Sequence, residues 1–141
     1  MSKVVSNYTN NTEKTIYFCE TDAGGVVYFG NIGKYIEIGF SEWFREFAIP
    51  LKKINKDYGI FFVVRESNQS FKKSIYYDDR IKIKTNLEKI SYYYLIFSTS
   101  IYVDNEIRFL ARTTLVPVDM NTKSIVKIPS ELIKFMDEVQ K

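Results

Sequence analysis

Histidine is absent from this chain of 141 residues. That removes Ser-His-Asp and Cys-His catalysis, a histidine general base and histidine-bearing metal sites. The single cysteine, Cys19, excludes an internal disulfide, leaves no ligand set for structural zinc and fits a reducing compartment. No run of about 18 apolar residues occurs, so no membrane-spanning helix is expected. The opening MSKVVSNYTNNTEK lacks the apolar stretch of a signal peptide. Charge of one sign is also scarce. With 20 basic and 17 acidic residues the net charge is +3, too mild to point to nucleic acid and compatible with an anionic small molecule. The expectation is a cytoplasmic protein with neither a membrane nor a nucleic-acid partner, no metal and no other cofactor. Its chemistry falls to carboxylates, hydroxyls, lysines or backbone dipoles.

Hydrophobic residues make up 45% of the chain, enough for a core, and the length suits one domain over residues 1–141. Residues 1–13 are polar and read as a loose leader. KTIYFCET, from Lys14 to Thr21, alternates and predicts a first strand, with Cys19 as a small core residue. From Ile32, apolar residues recur at Tyr35, Ile36, Gly39, Phe40, Trp43, Phe44 and Phe47, one face of a helix from Asn31 to Phe47. Asn31 or Gly30 can cap it, and Pro50 bars its continuation. Gly39 inside the stripe costs helix propensity, which points to close approach of a strand. Leu51 to Gly59 reads as a connector or second small helix. Strands are predicted over Ile60–Phe71, Arg80–Ile90, Ser91–Val103 and Glu106–Val118, the last two joined by the hairpin turn Asp104-Asn105. Ser130 to Gln140 reads as a terminal helix with Leu132, Ile133, Met136 and Val139 on its apolar stripe. The order β, long α, four β, short α predicts an α+β fold with an antiparallel sheet around a largely buried helix.

Asp22 stands before the glycine turn Ala23-Gly24-Gly25 and ahead of the long helix. Two readings are open. An aspartate before glycine commonly makes a turn. A carboxylate at the mouth of a helix N-terminus also sits where unsatisfied N–H groups face a ligand.

The block ETDAGGVVYFGNIGKYIE, followed by SEWFRE, resembles the signature of hotdog-fold thioesterases of the 4-hydroxybenzoyl-CoA thioesterase-like family. That signature is Asp-x-x-Gly-hydrophobic-hydrophobic-aromatic-x-x-Asn ahead of the central helix. Downstream, YYDDRIKIKT (Tyr76 to Thr85) and ARTTLVPVDMNTKSIVKIPSEL (Ala111 to Leu132) are similar to later family segments and fall in the same order. The likeness spans about Lys14 to Met136.

The resemblance implies a hotdog fold in which two protomers join their sheets and share the active site, as a homodimer or homotetramer. It implies an acyl-CoA or acyl-carrier-protein thioester as substrate. Asp22 matches the catalytic aspartate, which attacks the carbonyl or deprotonates a water. The Phe29 backbone N–H, seven residues on, matches the oxyanion donor. Tyr28, Gly30 and Asn31 are the expected substrate contacts. Many members carry histidine at the Phe29 position; phenylalanine keeps the N–H and makes the pocket more apolar, suiting an aromatic or fatty acyl group. Glu37 matches a family helix glutamate, and with Glu42 it is expected to be solvated or interfacial. Lys72, Lys73, Lys82, Lys84, Lys89, Arg108 and Arg112 could meet CoA phosphates, and spacing does not say which converge. Tyr92 to Tyr94 are expected on the sheet surface. Three function classes follow: thioester hydrolysis; dehydration or hydration, which relies on an Asp/His pair and so meets the missing histidine; and a non-catalytic acyl-CoA-binding or assembly module.

Overall fold

In the computed structural model, residues 2–4 and 8–139 are described, with side chains from 8 to 137. Among the described residues six strands and three α-helices follow one another: β1 Ser2–Val4, β2 Thr9–Thr15, α1 Ile32–Phe47, α2 Leu51–Tyr58, β3 Ile60–Phe71, β4 Arg80–Ser91, β5 Leu95–Val103, β6 Glu106–Asp119 and α3 Ser130–Val139. Short 3-10 turns occupy Phe18–Glu20 and Phe29–Asn31. The sheet is antiparallel in order β1-β4-β5-β6-β3, and β2 shares the β4 edge with β1.

Helix α1 forms where the 3.6-residue spacing predicts it. Ile32, Tyr35, Ile36, Gly39, Phe40, Trp43 and Phe44 are buried, while Lys34, Glu37, Arg45 and Glu46 face outward. Its stripe meets the inward residues of the sheet: Ile81, Ile83 and Leu87 of β4, Phe97 and Ile101 of β5, Phe109 and Leu115 of β6. Trp43 and Phe44 both pack against Phe97. Gly39 is where helix and sheet come closest. A Cβ there would overlap the Thr85 side chain on β4, the close approach that a glycine in an apolar stripe predicts. Bulges in β3, β4 and β6 break the register locally. Such irregularities bend strands and raise their twist, which helps the sheet curl about the helix.

At Asp104 and Asn105 both φ angles are positive, 50° and 64°. That is the geometry of a tight two-residue hairpin, which Asp and Asn tolerate. The expected strand over Ser91–Val103 is shorter: residues 92–94 form the connection, closed by the Ser91 N–H donating to the Tyr94 carbonyl at 2.9 Å. Helix α3 buries Leu132 and Met136; the Val139 side chain lies outside the described residues.

The amino-terminal expectations need correction. The first paired residues are not Lys14–Thr21. Strand β2 runs over Thr9–Thr15 against Thr85, Lys84 and their neighbours on β4, so much of the expected leader belongs to the sheet. Asn10 is buried, donating to Glu46 Oε1 at 2.9 Å and accepting from Thr12 Oγ1 at 2.7 Å. Asn10, Asn11, Glu13 and Lys14 have low strand propensity, which the threonines between them only partly offset, and pairing with a long neighbouring strand overrides it. The chain leaves the sheet at Thr15, so the alternation read through Cys19 ends. Cys19 lies in a 3-10 turn and is exposed, not in the core.

Candidate active site

The segment from Glu20 to Asn31 folds back on itself at the entrance to α1. Thr21 and Val27 form an antiparallel bridge, and Val26 bridges Tyr76. Within this loop Asp22 makes the turn that its place before glycine predicts. Its Oδ1 accepts the Gly24 N–H at 2.8 Å and the Val26 N–H at 3.3 Å. The Gly25 N–H closes onto the Asp22 carbonyl at 3.0 Å. Gly25 has φ of +77°, a conformation costly for any residue with a Cβ. The turn reading of Asp22 is therefore met. One oxygen holds the turn, and Oδ2 makes no hydrogen bond among the described residues.

Asp22 lies on the wall of a cleft of about 560 Å³. Tyr28 and Phe29 line the same cleft, from the short turn that leads into α1. The turn's own hydrogen bonds run from the Asn31 N–H to the Tyr28 carbonyl and from the Ile32 N–H to the Phe29 carbonyl. The Phe29 and Gly30 N–H groups find no acceptor among the described residues. They are the free donors that a helix start exposes, at its positive end.

Gly30 and Asn31, expected beside the substrate, are not on the cleft wall. Each shapes it from behind. The Tyr28 ring covers Gly30, so that a Cβ there would collide with it. Asn31 does not cap α1 with its side chain; its Nδ2 donates to the Glu20 carbonyl at 2.8 Å.

The rest of the wall comes from distant stretches of chain. Val27, Ile32, Ile75 and Phe109 supply buried apolar surface, and Phe71 stacks edge-on against both Phe29 and Phe109. Phe29 itself is 67% exposed and Phe71 53%. Of the seven basic residues that sequence left undivided, Lys72, Lys73 and Arg108 converge here, while Lys82 and Lys84 line a separate polar hollow on the outer sheet. Lys73 Nζ pairs with Glu106 Oε2 at 2.7 Å, and Arg108 Nε lies 3.0 Å from Glu106 Oε1. The Lys73 hydrogen bond, helped by both cations, holds the Glu106 carboxyl below its ordinary value. Lys72 has no ion pair among the described residues.

Sequence reasoning missed Glu20. Its Oε1 accepts from Lys14 Nζ and from the Tyr35 hydroxyl, both at 2.7 Å, and its Oε2 from Lys14 Nζ at 2.8 Å and the Tyr17 N–H at 2.7 Å. Partial burial pushes its carboxyl up, but the Lys14, Tyr17 and Tyr35 hydrogen bonds and the Lys14 charge outweigh this and hold it below its ordinary value. Burial, then the bond to Glu20, pushes the Tyr35 phenol up. A signal was present: Tyr35 sits on the apolar stripe of α1, and a buried phenol needs a partner.

A sequence profile described as the thioesterase-like superfamily matches residues 17–136. The 1,4-dihydroxy-2-naphthoyl-CoA hydrolase of Thermosynechococcus vestitus is 22% identical over 85% of this chain and 83% of its own length. The solved DHNA-CoA thioesterase from Staphylococcus aureus superposes with a TM-score of 0.87 at 25% identity, covering 94% of this chain and 91% of that one. The 4-hydroxybenzoyl-CoA thioesterase structure from Pseudomonas sp. strain CBS-3 gives 0.82 at 18% identity, with 90% and 98% covered, a likeness of fold.

Proposed function

Because this chain belongs to the thioesterase-like superfamily, and is by that membership a thioester hydrolase, we propose that it hydrolyses acyl-CoA thioesters in the cleft between Asp22 and the start of α1. The observation that carries this reading is the meeting of an exposed carboxylate and an unpaired N–H on one cleft wall, in a hotdog sheet curled about its helix. The thioester carbonyl oxygen lies toward the Phe29 N–H. As the carbon becomes tetrahedral, negative charge develops on that oxygen, where a fixed N–H and the helix dipole stabilise it without reorganising. Asp22 Oδ2 supplies the other half. It attacks the carbonyl carbon, giving a mixed anhydride that water then cleaves, or it takes a proton from the attacking water. Either way the C–S bond breaks and the thiol leaves.

Charge and polarity divide the cleft between the two ends of the substrate. Phe29, Phe71, Ile75 and Phe109 suit an apolar or aromatic acyl group, while Lys72, Lys73 and Arg108 suit the anionic carrier. A carrier-protein thioester presents the same acyl end and is the second substrate to assay. Phe29 and Phe71 on the cleft wall are exposed, and among the described residues β3 pairs only with β6, leaving one edge of a 12-residue strand without a partner there. An unpaired edge of that length favours pairing with a second copy, so the working form is read as a homodimer or a dimer of dimers.

Thiol release from a panel of acyl-CoAs, followed with a thiol-reactive dye, tests the function. Turnover of apolar or aromatic acyl-CoAs supports it. No turnover with any member, alongside tight acyl-CoA binding, would leave the non-catalytic binding module as the better reading.

A further inference from the structure

We propose that Glu20 is a positioning residue for the hydrolysis, setting the separation between the Asp22 carboxylate and the Phe29 N–H. The inference rests on the roles given to Asp22 and Phe29 above. Glu20 does not line the cleft, and its carboxylate is fully engaged away from it. Four hydrogen bonds tie that carboxylate to three parts of the fold: Lys14 in β2, the Tyr17 N–H at the head of the 3-10 turn, and the Tyr35 hydroxyl on α1. Tyr35 is 1% exposed, so its hydroxyl is anchored in the core. Lys14 also donates to the Thr15 carbonyl at 3.0 Å and lies 5.2 Å from the Tyr35 ring centroid, so the ammonium is held as firmly as the carboxylate.

The backbone of the same residue holds the other side of the site. The Glu20 carbonyl accepts the Tyr28 N–H at 3.1 Å and Asn31 Nδ2 at 2.8 Å. Tyr28 precedes Phe29 directly, and Asp22 follows Glu20 by two residues. The acid and the oxyanion donor are thus measured from one point, which the side chain fixes to strand and helix. Between them the loop is also held by backbone bonds, the Asp22 N–H to the Val26 carbonyl at 2.8 Å, the Val27 N–H to the Ile75 carbonyl at 2.7 Å and the Tyr77 N–H to the Gly25 carbonyl at 3.2 Å, but none of these reaches α1 or β2. Loss of the anchor lets the two groups drift apart, and a displacement of about 1 Å can cost about 100-fold in rate. The Lys14–Glu20 pair is neutral overall, so it places Asp22 without adding net charge beside it.

The test compares Glu20→Gln, Glu20→Ala and Tyr35→Phe, each also built in an Asp22→Asn background, with kcat and KM measured on the best acyl-CoA of the panel. Glutamine keeps the shape but sets an N–H or a weaker acceptor against Tyr17 and Lys14. The expected result is a fall in kcat of about 10- to 100-fold for Glu20→Ala, partly rescued in Glu20→Gln, and about tenfold or less for Tyr35→Phe. KM should stay within about twofold, because the cleft walls are untouched. In the Asp22→Asn background the Glu20 substitutions should change the residual rate by less than about twofold, since the reacting carboxylate whose separation from the Phe29 N–H Glu20 sets is gone. Tyr35→Phe keeps the buried ring and serves as the test should Glu20→Ala fail to fold. Wild-type kcat in Glu20→Gln and Tyr35→Phe, an equal loss in both Asp22 backgrounds, or a loss confined to KM would each overturn the inference. Wild-type activity of Asp22→Asn alone would instead overturn the reading of Asp22 on which it rests.

Discussion

Glu20 and Asp22 are two carboxylates two residues apart, held in opposite ways. Glu20 is 17% exposed by its side chain and accepts four hydrogen bonds, two of them from an ammonium. Asp22 is exposed, spends one oxygen on its own turn and keeps the other free on the wall of the cleft. A carboxylate whose lone pairs are all engaged by fixed donors is a poor base and a good anchor. One with a free oxygen facing a cleft can do chemistry. In the proposed mechanism, placement and reaction fall to neighbouring residues of the same charge.

The sharpest way to break the comparison is to exchange roles by removing each charge in turn. Asp22→Asn should lower kcat by at least about 100-fold, within the range for losing a nucleophile or general base. Its melting temperature should stay within a few degrees of wild type, because the amide oxygen still accepts the Gly24 N–H. Steady-state rates and a thermal melt on the same preparation check both halves. An active Asp22→Asn enzyme would leave Asp22 as a turn residue only.

A substitution far from either carboxylate should show the reverse pattern. Gly39→Ala drives a Cβ into the Thr85 side chain and should destabilise by about 1–3 kcal/mol, as overpacking does. The Thr85 hydroxyl is buried with no hydrogen-bond partner among the described residues, so adding Thr85→Ala should restore part of the loss without breaking a bond. Denaturant midpoints measure this, and kcat per folded molecule should barely change.

Phe29→Ala keeps the backbone donor while removing apolar wall. The expected outcome is a fall in kcat of less than about tenfold, with a larger rise in KM for bulky acyl groups than for short ones. Equal effects on all acyl lengths would detach the Phe29 ring from the acyl end of the cleft.

Acid sharpens the contrast through stability rather than rate. The Glu20 carboxyl is held below its ordinary value of 4.5. Its contribution is therefore complete above about pH 4.5, the unfolded value, and is lost as pH falls through the lower folded value. The drop in melting temperature between pH 6 and pH 3 should be smaller in Glu20→Gln than in wild type. The smallest effect belongs to the rim of the cleft. Lys72→Met should raise KM for acyl-CoA by a few-fold, about what a solvent-exposed charge is worth, and the difference should shrink as salt is added.

Much of the fold was legible because its signals are periodic and local. The α1 stripe from Ile32 to Phe47, the β3 limits at Ile60 and Phe71 and the Asp104-Asn105 turn follow from side-chain spacing and turn chemistry alone. So does the need for a small residue at Gly39. The block from Asp22 to Asn31 also carried its resemblance in a short continuous motif, and its turn formed as the residue types predict. Strand β2 was not legible. Thr9 to Thr15 are polar and lack an apolar face, with Asn, Glu and Lys among them, and they pair because β4 offers a long edge.

Sequence by itself determined which residues must be buried together and where the chain must turn, since hydrophobic spacing and backbone preference act over a few residues. Only the tertiary structure decided that Lys72, Lys73 and Arg108 share a cleft with Asp22 while Lys82 and Lys84 do not, and that Glu20 meets Lys14, Tyr17 and Tyr35. Those facts depend on which strands lie side by side and how far the sheet curls around α1. No window of sequence contains them, because the groups that meet come from stretches of chain brought together only when the core closes.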